Sequence, residues 1–408
     1  MDKNSVEKYA ELLIKKGLNI QKGQRLAINC PIECADFARL CTRIAYECGC
    51  REVLHLWYDD ALDKMKFLYA DSDVFDKMNE WEKLERDIIS DEGCAWLAIY
   101  AEDPENLKGV DSDRITRWQK TRGKALEKFY RHETRNDFQW CVASVPTEKW
   151  AKAVFPELDT AAAIEKLWEE ILKVSRVDGE NTIPAWEAHS AELQKHVAIM
   201  NDYAFKSLHY TNSLGTDFTV ELPENHYWAG GEEKSSKGVM FSANIPTEEI
   251  FTLPHKNSAN GKIVASKPLC VNGNLIKDFW FIVKDGKIVE AHAKEGEDIL
   301  KDELTADEGA SYLGELALVP YDSPISASGV LFLNTLFDEN ASCHIAFGEA
   351  YPCIKGSDEM SDDELKSRGV NYSMVHEDFM IGTRDLSITG ITYDGKEVPV
   401  FVNGNFAF

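Results

Sequence analysis

Between Pro246 and Asp378 the chain sets out six side chains of types that hold metal ions. Glu249 closes Pro-Thr-Glu-Glu (246–249), and Glu315 follows a glycine in Gly-Glu (314–315). Glu339 and His344 belong to Phe-Asp-Glu-Asn-Ala-Ser-Cys-His (337–344), and His376 and Asp378 to His-Glu-Asp (376–378). All six lie in short polar breaks between apolar runs. Four carboxylates with two imidazoles make an oxygen-rich set that suits borderline divalent cations such as zinc, cobalt or manganese. Their four negative charges balance the positive charges of two such ions, which would let so acidic a cluster fold. Read from the residues alone, this is a dinuclear metallohydrolase.

Taken singly, each candidate is weak. A lone Glu in a chain with 70 acidic residues is ordinarily a solvated surface group. His344 could be a buried structural histidine, and His376 part of a surface charge cluster. Their setting raises them. Glu249 stands at the mouth of the apolar Ile250-Phe251-Thr252, and Glu339 and His344 flank a turn of small residues. His376 and Asp378, two apart, share a face if their segment is extended. His255, in Leu253-Pro254-His255-Lys256, is a secondary candidate for orienting substrate.

These residues must be positioned by a chain of 408 residues, long enough for two or three domains with their own cores. In the first half helical and strand patterns alternate. Helices are expected over 5–16, 34–47, 159–174 and 185–205, and strands over 25–30, 52–58, 94–100 and 138–145. Such alternation predicts a mostly parallel sheet covered by helices. From about Lys206 the pattern turns β-rich, with strands expected over 207–212, 216–222, 262–271 and 274–284. Asp-Gly turns stand at 285–286 and 394–395, and short helices are expected over 296–308 and 330–337. The expected organisation is an α/β N-terminal domain over 1–205, shaping access and assembly. An α+β domain over 206–408 would carry the dinuclear site. His55 and His132, the histidines of the βαβ region, read as a strand residue and a helix-end residue, so no ligand is expected there.

Composition excludes several classes. A net charge of −25 repels nucleic acid and anionic membrane and favours amine-bearing ligands. No apolar run is long enough to span a bilayer, and residues 1–20 lack the pattern of a signal peptide. Ten scattered cysteines suggest free thiols in a reducing cytoplasm, with Cys34, Cys41 and Cys48 on one helical face. HExxH, Gly-x-Ser-x-Gly, Walker and GxGxxG signatures are all missing.

The motifs together resemble the M29 family of metallo-aminopeptidases essentially from end to end. The resemblance runs through Tyr-Ala-Glu-Leu-Leu-Ile-Lys-Lys-Gly-Leu-Asn-Ile-Gln-Lys-Gly-Gln (9–24) and Asn-Ser-Leu-Gly-Thr-Asp (212–217). It is strongest in Asn-Ile-Pro-Thr-Glu-Glu-Ile-Phe-Thr (244–252), Asp-Glu-Asn-Ala-Ser-Cys-His (338–344) and Asp-Phe-Met-Ile-Gly (378–382). It implies removal of the N-terminal residue of peptides by a hydroxide activated between two divalent ions, with magnesium also admissible. Glu249, Glu339, His344, His376 and Asp378 fall on metal ligands, Glu315 on the carboxylate that bridges both metals, and Tyr351 on an active-site tyrosine. A homodimer is also implied. Where the family often has an apolar residue between the His and the Asp, this chain has Glu377, which an extended segment would turn away from the metals. Two other readings remain at this stage. One is a different dinuclear hydrolase, a phosphoesterase or amidohydrolase, though no Arg/Lys cluster near the motifs would bind phosphate. The other is a non-enzymatic acidic metal-binding protein on the same fold.

Overall fold

The computed structural model describes residues 3–177, 179, 181–271 and 274–408. Two compact units emerge, one of Met1–Ser190, Glu232–Thr247 and Leu331–Leu336, the other of Ala191–Gly231, Glu248–Val330 and Phe337–Phe408. This differs from a single division at 205/206. Helix Thr182–Tyr203 spans residue 190, so an element boundary read from sequence does not coincide with the unit boundary. Segment 243–245 belongs to the first unit because it runs beside strand Trp140–Ala143: the Val142 amide donates to the Ala243 carbonyl and the Ile245 amide to the Val142 carbonyl.

In the first unit, strands Arg25–Pro31, Glu52–Tyr58, Ala95–Ile99 and Trp140–Ala143 form a four-stranded parallel sheet. The 25–31 strand lies between 52–58 and 95–99, and 140–143 pairs outside 95–99. The two inner strands read as near-continuous apolar runs, as expected where both faces are covered. Helix Ala35–Glu47 buries Phe37, Ala38, Cys41, Ile44 and Ala45, spaced to make one stripe. Cys34 and Cys41 are buried on that side, while Cys48, at the helix end, is only half-buried.

In the second unit a nine-stranded antiparallel sheet and a five-stranded antiparallel sheet share one apolar core. The hairpin of Asn274–Lys284 and Lys287–Glu295 turns at Asp285-Gly286, both with positive φ, the conformation a tight primed turn needs. Two expectations require correction. The strand expected over 262–271 is two strands, Asn260–Val264 and Leu269–Val271, separated where Pro268 has no amide to donate. The helix expected over 330–337 is replaced by Pro324–Ser328, ended by Gly329 in the left-handed region, and by Thr335–Glu339.

The five-stranded sheet positions the candidate ligands. Its order is His376–Met380, His344–Gly348, Leu313–Leu318, Ile250–Thr252 and Ala229–Gly230. Residues directly opposite across a ladder share a face. Asp378 lies opposite Ala346 and Ala346 opposite Glu315, while His344 lies opposite Ala317 and Ala317 opposite Phe251. His376, opposite Gly348, is on the same face by the two-residue period. The other face presents Ile250, Leu316, Leu318, Ile345, Phe347 and Phe379 to the core. The apolar-polar alternation of these strands thus sorts the core onto one side and the chemistry onto the other.

Candidate metal centre

The ligand atoms fall into two groups that share one residue. Glu249, Glu315 and His344 offer donor atoms all within 4.8 Å of one another, and so do Glu315, His376 and Asp378. His344 Nε2 stands 3.1 Å from Glu249 Oε2, 3.6 Å from Glu315 Oε1 and 3.9 Å from Asp378 Oδ1. His376 Nε2 stands 3.7 Å from Glu315 Oε2 and 3.4 Å from Asp378 Oδ2. The two oxygens of Glu315 therefore face different imidazoles. Glu339 belongs to neither group of three, yet its carboxyl is close enough to feel the charges of Asp378, Glu249, His344 and Glu315.

Local structure explains why each side chain points inward. Glu315 shares the ligand face with Ala317 by strand alternation, and the register shift at Gly314 just ahead of it lets Leu313 pair with Phe347 on the core face. That glycine is required, because a Cβ at Gly314 would come 2.2 Å from the Glu349 carbonyl oxygen. Helix Thr335–Glu339 ends at Glu339, and the Asn-Ala-Ser-Cys turn delivers His344 as the first residue of its strand. His344 donates from Nδ1 to the Ser342 carbonyl at 3.0 Å, and His376 from Nδ1 to the Glu349 carbonyl at 2.8 Å. Both imidazoles are thereby oriented with Nε2 toward the carboxylates, the arrangement that metal-binding histidines use.

Burial and charge oppose each other here. Glu249 is 7% exposed, Glu315 6%, His344 2% and Asp378 9%. Burial, with the charges of Asp378 and Glu249, raises the Glu315 carboxyl above its ordinary range and the Glu339 carboxyl well above it. Burial would lower both imidazoles, but the carboxylates around them prevail. His344 is held well above the usual histidine range, and His376 is pushed up to about 10. Asp378 is lowered, since His376 and His344 outweigh its burial.

Two buried oxygens, Glu249 Oε2 and Asp378 Oδ1, have no hydrogen-bond donor aligned on them. Orphaned carboxylate oxygens inside an array of acids and imidazoles are what a bound cation satisfies, so the donor set fits divalent metal. Tyr351 lies beside the array, its ring edge-on to His376 with centroids 5.5 Å apart. Glu377 is on the opposite face of its strand, across from Phe347. There burial, with the charges of Glu303 and Asp378, pushes its carboxyl up to about 8. His255 accepts a hydrogen bond from the Asn257 amide within its own loop.

Sequence reasoning missed the residues that brace the ligands. The Asn340 side-chain oxygen accepts the Glu248 amide at 2.7 Å, tying the Glu249 turn to the Glu339 turn. Ser342 Oγ accepts the Gly382 amide at 2.9 Å, locking the end of the His-x-Asp strand to the His344 turn. Both lie inside motifs already singled out, but nothing in sequence spacing says which turns meet.

Comparison with known proteins converges on one family. The family described as thermophilic metalloprotease (M29) matches residues 2–406. Aminopeptidase AmpS of Bacillus subtilis is 44% identical over 401 residues, covering 98% of each chain. Aminopeptidase 2 of Geobacillus stearothermophilus is 45% identical over 404 residues, covering 99% of this chain and 98% of that one. The structure of wild-type AmpT from Thermus thermophilus superposes with a TM-score of 0.92 at 37% identity, covering all of both chains. A dioxygenase from Pseudomonas putida shares the fold at 12% identity and a TM-score of 0.53, so the fold alone does not select a reaction. With the match running from residue 2 to residue 406, the chain belongs to the M29 family of metalloproteases.

Proposed function

We propose that this chain, a metal-dependent aminopeptidase, removes the N-terminal residue of peptides at a dinuclear site. Glu249, Glu315, Glu339, His344, His376 and Asp378 would hold two divalent ions (zinc, cobalt or manganese, with magnesium also admissible), and Glu315 would be shared between them. When bound, such a pair supplies Lewis-acid polarisation of the scissile carbonyl and hydroxide at neutral pH. The observation that carries the reading is the membership of Glu315 in both donor groups, one oxygen toward each imidazole.

The chain's own residues supply the rest. Glu315 fixes the spacing of the two halves of the site. The Ser342 and Glu349 carbonyls hold the histidine tautomers. Tyr351, edge-on to His376, donates a hydrogen bond to the developing oxyanion or a proton to the leaving amine. The acidic balance of the chain favours amine-bearing substrates, and holding the free α-amine, which an internal peptide bond lacks, would limit cleavage to the end of a peptide. The N-terminal unit shapes access and assembly without giving a ligand, the assembly is a homodimer, and the compartment is the cytoplasm. Among the described residues no helix is long and apolar enough to cross a membrane.

Dialysis against chelator tests the reading. Release of a chromogenic amine from an aminoacyl anilide is expected to stop, and to return on adding zinc, cobalt or manganese. Full activity in protein verified as metal-free would overturn it.

A further inference from the structure

We infer that Phe251 forms a wall of the pocket for the side chain of the residue being removed, and that this pocket selects large apolar N-terminal residues. The inference rests on the aminopeptidase reading and deepens it. Strand Ile250–Thr252 divides its residues between two environments. Ile250 belongs to the core of the second unit, whereas Phe251 is directed to the ligand face, opposite Ala317, which is itself opposite His344. It is two residues from Glu249 and shares its side of the chain. Phe251 is only half-buried.

Its neighbours make a continuous apolar surface leading to the site. The Phe251 and Tyr351 rings have centroids 6.1 Å apart, and Tyr351 meets His376 at 5.5 Å. Beneath them, Leu253, Ala350, Cys353 and Ile354 form a buried cluster against which Phe251, Tyr351 and Tyr227 pack. The Thr252 hydroxyl donates to the Tyr227 carbonyl at 2.8 Å and holds that segment to the strand. Phe251 carries no donor atom for a metal, and with Tyr351 edge-on to His376 its contribution is to desolvate a substrate group held beside it. A leucyl, methionyl or phenylalanyl side chain gains from that contact, whereas an alanyl side chain is too short to reach as much of it.

The test measures kcat/KM of the metal-loaded protein on leucyl and alanyl anilides, for the parent, Phe251→Ala and Phe251→Leu, with bound metal quantified in each. Phe251→Ala is expected to reduce the leucyl-to-alanyl ratio about 10- to 100-fold, the usual discrimination of an apolar pocket. Phe251→Leu, which keeps an aliphatic wall, reduces it by a smaller factor in the same direction, and decides the matter if the alanine variant does not fold. Bound metal stays at the parent level. An unchanged ratio, or equal loss on both substrates, overturns the assignment, because a purely structural role moves both alike. A parent protein that releases no amine from any anilide overturns the aminopeptidase reading, and this assignment with it.

Discussion

Replacing Glu315 by Gln keeps the shape of the side chain but removes the charge shared between the two donor groups. In the structure its oxygens stand 3.6 Å from His344 Nε2 and 3.7 Å from His376 Nε2. A unit charge at such a distance interacts with another by roughly 4–5 kcal/mol at an effective dielectric of ~20. A divalent ion held by Glu315 would forfeit an attraction of at least that order, partly returned because fewer acids crowd the site. A net loss of about 3 kcal/mol lowers affinity roughly 100-fold. At least one ion is therefore expected to be lost on gel filtration, with nearly all turnover. The stability effect should reverse with metal. Glu315 is raised by burial and by Asp378 and Glu249, so in the metal-free parent it costs stability as pH rises above the ordinary carboxylate range. Metal-free Glu315→Gln should then unfold at the same or a higher temperature than metal-free parent at pH 8. In excess metal the order should invert. Elemental analysis, anilide turnover and thermal unfolding with and without chelator read these three quantities. Two ions tightly retained with normal rates would refute the bridging role.

Tyr351→Phe should lower kcat and kcat/KM together by about 10²–10³, with KM, metal content and unfolding temperature near the parent values; undiminished kcat, or loss of metal, would contradict a role in the transition state. Glu377, pushed up to about 8 chiefly by burial, makes metal-free protein less stable as pH climbs from the carboxylate range through 8. Glu377→Gln should thus gain on the parent by up to a few kcal/mol between pH 5 and pH 9 in chelator, and a gap that does not change with pH would show the carboxyl is not strained by its surroundings. His55→Ala and His132→Ala should leave bound metal unchanged. Both histidines already have local partners, the Thr42 hydroxyl at 2.8 Å and the Asp137 carboxylate at 2.7 Å; loss of an ion in either variant would mean the site extends further.

Much of the molecule is legible in the sequence. The βα alternation of the first half matches a parallel four-stranded sheet, and the 52–58 and 274–284 strands fall on their expected residues. Those signals are local: hydrophobic period, Asp-Gly turns and Gly stops act over a few residues. The six acid and imidazole positions were likewise visible as polar breaks. What spacing could not convey was their meeting, because 129 positions (378 − 249) separate Glu249 from Asp378 and only strand pairing sets which residues oppose. Pairing placed Glu315, Ala346 and Asp378 in one row, while the register shift at Gly314 sent Leu313 to the core instead. Glu339 came near through a turn braced from Asn340 to the Glu248 amide. The course of segment 243–245 beside Trp140–Ala143 escaped for the same reason, since backbone ladders between distant segments carry little side-chain signature. Residue chemistry was therefore determined by sequence, and the shared position of Glu315 between two imidazoles was decided only when long-range β-pairing fixed the register.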